Sequence, residues 1–257
     1  SVKERLTSYQ DVLGGVQTYR YDESGRLSRT TLGSTTADFT YDAFGRTHSI
    51  TTKDGDQQLV TTLMYDEFDR EVLRTFDFGG GLTQSLTQVY NDIDNLVQRT
   101  LCEGSTVLRD EFFTYDLRNR LTVYQCKGEG GQPALQAPED PWGNVIAQQA
   151  FMLDELDNIT MVTTTDAEGQ IHRTLYNFEN PLDPAQLTGL AHYPADRSVL
   201  PPVSFTYDAN GNMTCDEAGR TLTYDGLNRL REVVDGQASH QYHYDAQDVL
   251  TGTSGPA

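Results

Sequence analysis

The chain has 257 residues with 19 Lys and Arg against 38 Asp and Glu, a formal charge of −19 that excludes nucleic acid and anionic membrane surfaces as principal partners. A hydrophobic content of 37% with 14 Tyr and 10 Phe is that of an ordered protein, and as an all-β unit this length fits one domain. Three cysteines, Cys102, Cys126 and Cys215, imply no disulfide framework, no apolar run approaches a membrane span, and residues 1–20 lack the layout of a signal peptide.

In chain order, one short pattern recurs from Gln17 to Leu250. Its first full copy is Tyr21-Asp22-Glu23-Ser24-Gly25-Arg26-Leu27, followed by Tyr41-Asp42-Ala43-Phe44-Gly45-Arg46, Tyr65-Asp66-Glu67-Phe68-Asp69-Arg70 and Tyr115-Asp116-Leu117-Arg118-Asn119-Arg120-Leu121. Tyr90-Asn91-Asp92-Ile93-Asp94-Asn95-Leu96 keeps the shape with softer residues. Self-similarity at a fixed interval decides architecture before any single element does. Tyr with flanking Thr, Phe and Val favours an extended, half-buried strand. The following Asp can bond to backbone N–H groups ahead of it, and Gly, Asn or Asp three residues later tolerates positive φ, so the chain reverses. Arg and an apolar residue begin the returning strand, where the guanidinium can pair with an Asp or lie on a neighbouring Tyr face. Each copy is therefore a β-hairpin corner. Opposite turns, such as Gly33-Ser34-Thr35, Asp54-Gly55-Asp56, Gly79-Gly80-Gly81 and Glu103-Gly104-Ser105, complete the two-strand unit.

The rhythm breaks over 127–144, where Gly128, Gly130, Gly131, Pro133, Pro138 and Pro141 predict a loop lying over the sheet or its rim, closed by Asp140-Pro141-Trp142-Gly143-Asn144. Degenerate repeats over 145–179 include Leu153-Asp154-Glu155-Leu156-Asp157-Asn158-Ile159. A Pro-rich excursion spans 180–202, and within it Asp183-Pro184-Ala185-Gln186-Leu187-Thr188-Gly189 predicts one short helical turn over 183–189. Regular copies return over 203–250: Tyr207-Asp208-Ala209-Asn210-Gly211-Asn212, Cys215-Asp216-Glu217-Ala218-Gly219-Arg220, Tyr224-Asp225-Gly226-Leu227-Asn228-Arg229 and Tyr244-Asp245-Ala246-Gln247-Asp248-Val249. Cys215, in the Tyr position, reads as a small buried residue, and Thr251–Ala257 as a frayed end. The start, without Met and close to the first repeat, suggests a piece of a longer protein.

Tyr-Asp-x-x-Gly-Arg-Leu at about twenty-residue intervals resembles the Rhs/YD-repeat family, which includes bacterial polymorphic toxins, insecticidal toxin complexes and the animal teneurins. The stretch from Tyr124-Gln125-Cys126 through Pro141-Trp142-Gly143-Asn144, Asp157-Asn158-Ile159-Thr160 and Asp183-Pro184 to Tyr207-Asp208 is similar to the late repeat region of B-type toxin-complex components. The resemblance implies an all-β fold, a curved, spiralling antiparallel sheet forming an open section of shell. It also implies a secreted assembly in which the wall, completed by flanking sequence or a C-type component, encloses a toxic polypeptide. With strands about 4.8 Å apart, ten two-strand repeats make a ribbon on the order of 100 Å, too short to close around a folded domain.

The residue pattern predicts no catalytic chemistry. An aspartyl self-cleaving element that the family resemblance suggests needs Asp-Pro-x-Gly-Arg; Asp140-Pro141-Trp142-Gly143 is followed by Asn144, and Asp183-Pro184 lacks the Gly. No two carboxylates are singled out to share a proton. His240 and His243 fall on opposite faces of a strand, while His48, His172 and His192 are scattered, so no metal site or other cofactor site is expected. The corner arginines Arg26, Arg46, Arg70, Arg120, Arg220 and Arg229 stand beside acids and are expected to pair internally. Two alternatives stay open on the resemblance: the shell of a self-cleaving polymorphic toxin, and a carbohydrate-binding adhesion module using exposed Tyr and Trp142.

Overall fold

A computed structural model describes residues 5–11 and 14–255. The regular elements among the described residues are all strands, apart from a single 3₁₀ turn at Glu129–Gly131. In chain order the strands are β1 (Ser8–Gln10), β2 (Val16–Tyr21), β3 (Leu27–Leu32), β4 (Thr35–Tyr41), β5 (Thr47–Asp54), β6 (Gln57–Tyr65), β7 (Glu71–Asp77), β8 (Thr83–Tyr90), β9 (Leu96–Glu103), β10 (Thr106–Tyr115) and β11 (Leu121–Lys127). They continue as β12 (Ile146–Leu153), β13 (Ile159–Asp166), β14 (Ile171–Asn177), β15 (Gly189–Tyr193) and β16 (Val203–Ser204). The last six are β17 (Thr206–Tyr207), β18 (Met213–Cys215), β19 (Thr221–Tyr224), β20 (Leu230–Asp235), β21 (Ala238–Tyr244) and β22 (Leu250–Ser254).

Strand order follows chain order, β1 to β16 in one sixteen-stranded sheet and β17 to β22 in a second of six, and no closed barrel forms among the described residues. Every pairing with a described register is antiparallel. The chain divides into two compact units, Ser1–Gln148 and Gln149–Ala257.

In the first unit the five corners that begin with Tyr carry the same irregularity. Arg20 faces Arg29 but Tyr21 faces Leu27, so Ser28 is an extra residue on the returning strand. The same shift falls between Thr40 and Tyr41, Met64 and Tyr65, Val89 and Tyr90, and Thr114 and Tyr115. A bulge of this kind bends the strand and re-aims the side chain beside it. On the opposite edge, Gly33, Gly55 and Gly104 take positive φ in two-residue hairpin loops, closed by Leu32 facing Thr35, Asp54 facing Gln57 and Glu103 facing Thr106. The buried apolar residues are few: Leu63, Leu108, Tyr124, Cys126 and Ile146. The 127–144 segment lies against the sheet, with Gln136 N–H donating to Leu108 O (3.2 Å) and Ile146 N–H to Pro138 O (2.8 Å).

The second unit repeats the corner bulge between Thr206 and Tyr207, Thr223 and Tyr224, and His243 and Tyr244. Four expectations differ from the structure in this unit. Residues 183–189 form no helix: one hydrogen bond, Gln186 N–H to Asp183 O (3.0 Å), closes a turn, and Thr188 N–H then donates to Asn177 O (2.7 Å), drawing the chain back to the sheet. The Pro-rich excursion is interrupted by β15, whose five residues from Gly189 face Asn177 back to Arg173 on β14. The end is not frayed over 251–254, where β22 pairs with β21, Gln241 facing Ser254; Pro256 and Ala257 lie outside the described residues. Cys215 is half-buried, and the buried apolar residue of this unit is Phe205.

Candidate functional site: the corner ladder and two buried polar clusters

Each corner is built by its Asp. Asp66 Oδ1 accepts N–H bonds from Phe68 (2.9 Å) and Arg70 (3.0 Å), while Oδ2 accepts Nε of Arg70 (2.7 Å). The residue at the reversal, Asp69, sits at φ 64°, the conformation that elsewhere calls for Gly25 (81°), Gly45 (85°), Gly211 (84°) and Gly219 (74°). Asp22 with Arg26, Asp42 with Arg46, Asp116 with Arg120, Asp216 with Arg220 and Asp225 with Arg229 repeat the clasp at 2.7 Å. Asp208 clasps Asn212 Nδ2 (2.9 Å), and Asp245, followed by Val249 in place of Arg, holds backbone N–H groups only. Asp140, of the Asp-Pro-Trp-Gly element, is tied the same way, accepting Asn144 Nδ2 at both oxygens (3.1 and 2.9 Å).

These bonds hold the carboxyls of Asp116, Asp208 and Asp225 below the ordinary range. For Asp116 the backbone N–H of Arg120 is the leading cause, followed by its guanidinium. For Asp208 it is the Asn212 side chain, and for Asp225 the Arg229 guanidinium.

Successive corners are tied together in both directions. Looking back, the hydroxyls of Tyr41, Tyr65 and Tyr115 donate to Leu27 O (2.7 Å), Thr47 O (2.8 Å) and Leu96 O (2.8 Å), each carbonyl belonging to the start of the returning strand one corner earlier. Tyr21 and Tyr207 do the same to Leu6 O and Leu187 O. Looking forward, Arg26 lies over the Tyr41 ring (4.3 Å), Arg46 over Tyr65 (4.7 Å) and Arg229 over Tyr244 (5.0 Å).

The sequence reading expected Arg to find either an Asp or a Tyr; most of these find both. It missed a third partner. Nη1 of Arg46 reaches Asp69, Nη1 of Arg70 reaches Asp94 (2.6 Å) and Nη1 of Arg229 reaches Asp248 (2.7 Å), each acid being the positive-φ residue of the next corner. Two corner Asn residues reach an Asn, Asn95 to Asn119 (3.2 Å) and Asn212 to Asn228 (2.9 Å), while Asn158 reaches Pro184 O (3.0 Å). For these five ties the signal lay in the sequence as a matched choice between neighbouring corners, Arg with Asp and Asn with Asn.

Two buried polar clusters were also missed. In the first unit, buried Glu111 on β10 accepts both Nε (2.7 Å) and Nη2 (2.9 Å) of Arg99 on β9 and the hydroxyl of Tyr124 on β11 (2.9 Å). Its cross-strand neighbour Cys126 is 2% exposed, and burial pushes its thiol up. In the second unit, His172 and His192 are not scattered: cross-strand pairing of β14 with β15 stacks their rings with centroids 6.2 Å apart, both buried. Ala195 N–H donates to His172 Nδ1 (3.3 Å), so Nε2 carries the proton toward Asp166 Oδ2 (3.1 Å). Thr174 Oγ1 meets His192 Nδ1 at 3.0 Å.

Repeated corners cross-tied along antiparallel sheets define a β-repeat fold. Among solved structures the chain is similar to three crystal structures of TcdB2-TccC3, one with Cdc42 (TM-score 0.68) and one carrying TEV (0.66), the third scoring 0.67, each at 14% identity. The matches cover 90–92% of this chain and 13% of those chains, so the chain spans about an eighth of their length. The fold is thus that of a section of these toxin-complex structures, as the Rhs/YD resemblance implied. No protein-family model matches, and no curated protein matches.

Proposed function

We propose that this chain is a section of the shell wall of a secreted toxin assembly, of the B-type kind, whose role is to enclose and sequester a toxic polypeptide. The observation that supports this most is the ladder itself. Corner carboxylates and guanidiniums are engaged by one another from one repeat to the next, which is the use of charge expected of a wall and not of a reacting centre. The rest of the wall, on this reading, comes from flanking sequence or a C-type component.

The chain has no catalytic turnover of its own in this proposal. Asp140 is clasped by Asn144 like any other corner acid, which argues against a self-cleaving carboxylate pair at that position. The test is a pull-down of the chain with a C-type component followed by size-exclusion chromatography. Co-elution is expected; separate elution at micromolar concentrations of both would remove the shell-section reading. Intact mass should stay constant over prolonged incubation, and a defined cleavage abolished by Asp140→Asn would favour the self-cleaving alternative.

A further inference from the structure

In the second unit β16 pairs with β15 only at Gly189 and Leu190. Beyond that point Pro194, Pro201 and Pro202 have no N–H with which to resume a ladder, and the chain swings away from Tyr193 before returning at Val203. The gap is a cavity of about 770 Å³, within the range that accepts a small ligand or a short peptide segment.

The wall of this cavity is chemically unlike the rest of the chain. Arg173 and Arg197 line it, and no Asp or Glu does, in a protein with twice as many acids as bases. The other described cavities each have a carboxylate in the wall, such as Asp54, Asp77, Asp183 or Glu232. Arginines of the corners, and Arg29, Arg74 and Arg99 in the strands, are ion-paired. Arg173 and Arg197 have no ion pair and no side-chain hydrogen bond among the described residues. Arg20 and Arg231 share that state, but Arg231 stands beside Glu232 in its own cavity and Arg20 lines no described cavity.

Arg173 is on the exposed face of β14, the face opposite buried His172 and Thr174, and directly across from Tyr193 on β15. Arg197 is held at φ 61° by a turn in which its N–H donates to Pro194 O (3.1 Å), while Asp196 is occupied by the N–H of Ser198 (2.8 Å). Between the two arginines the lip is apolar and open: Ile171 is 47% exposed, Tyr193 54%, Val199 95% and Leu200 42%. Guanidinium forks match planar carboxylates bidentately, and exposed aliphatic and aromatic surface beside them asks for apolar side chains next to the charge. The strongly negative field of the whole chain works against polyanions such as nucleotides, leaving a ligand with one or two carboxylates.

We infer that this cavity is a docking site for a short peptide segment in which one or two acidic residues alternate with aliphatic ones, the carboxylates held by Arg173 and Arg197. The inference stands apart from the shell proposal, since it needs only the second unit's cavity.

The test uses the whole chain and two fluorescein-labelled probes, Leu-Asp-Val-Glu-Leu and its amide counterpart Leu-Asn-Val-Gln-Leu, both capped, followed by anisotropy at low salt. The acidic probe should bind about tenfold more tightly than the amide probe, and Arg173→Gln and Arg197→Gln should each weaken it about tenfold. Val199→Asp, at a site open to solvent, should weaken it similarly by placing a carboxylate at the lip. Circular dichroism should be unchanged in all three. Equal binding of both probes, no saturable binding of the acidic one, or variants that bind as the parent does would overturn the site.

Discussion

The guanidinium of Arg70 lies 4.9 Å over the ring of Tyr90, and the hydroxyl of that same Tyr90 donates to the carbonyl of Glu71, the residue after Arg70 (3.1 Å). Two corners are thereby locked by opposite ends of one phenol. With the Asp66 clasp and the reach to Asp94, a single arginine joins three side chains on two repeats. A sheet with few fully buried apolar residues is held in place by such side-chain ties along its rim.

Removing one tie without creating a cavity isolates its worth. Tyr115→Phe keeps the ring and deletes only the bond to Leu96 O, so it should cost about 0.5–1.5 kcal/mol in urea unfolding. An unchanged midpoint would show that this hydroxyl bond carries no net stability.

The matched choice between neighbouring corners makes a coupling experiment possible. Arg70→Asn and Asp94→Asn should each lower the urea midpoint, while the double variant recreates the Asn-to-Asn pair found at Asn95 with Asn119. It should be less destabilised than the two single effects added together. Strict additivity would mean that the pairing between corners is incidental.

Glu111 is a buried charge of the first unit, 2% exposed. Glu111→Ala leaves Arg99 without its bidentate partner and Tyr124 without its acceptor, and should cost about 3 kcal/mol, the low end for a buried pair because Arg99 keeps some water contact. A loss below about 1 kcal/mol would indicate that the cluster rearranges to satisfy Arg99.

Acid should loosen the corners. The carboxyls of Asp116, Asp208 and Asp225 are depressed in the folded chain, so their contribution is present above the unfolded value, about 3.9, and is lost as pH falls through the folded values. The urea midpoint should therefore hold from neutrality to about pH 5 and fall steeply below about pH 4. A midpoint that rises on acidification would contradict the clasp as a source of stability.

Thiol labelling reports on burial independently. Cys102 and Cys215, both half-buried, should react with a maleimide well before Cys126, whose thiol is buried and pushed up by that burial; in denaturant all three should react alike. Early reaction of Cys126 would show that the strand carrying it opens readily.

The corners were legible in the sequence because each is a local event. Asp22 bonds four residues ahead, Gly25 supplies the positive φ, and both lie within one heptapeptide. The ties between corners join residues twenty or so positions apart, and only the repeat period hinted at them. The bulge at Ser28 left no mark, since Ser28, His48 and Val72 share no chemistry at that position. The stacking of His172 on His192 depended on β15 pairing inside a Pro-rich stretch that local propensity marks as irregular. The helical reading of 183–189 failed for the same kind of reason: Pro184 after Asp183 suits a turn as well as a helix start, and the hydrogen bond from Thr188 to Asn177 decided between them.

The corner ties also have a direction. Arg46, Arg70 and Arg229 reach toward the C-terminal neighbour, and Tyr41, Tyr65, Tyr90 and Tyr115 toward the N-terminal one, so two such repeats joined head to head would have no partner for either. A gene for such a protein can grow or shrink only by whole units in the same orientation. A newly joined junction stays sound when the incoming reversal residue suits what reaches it, acid for arginine and amide for amide.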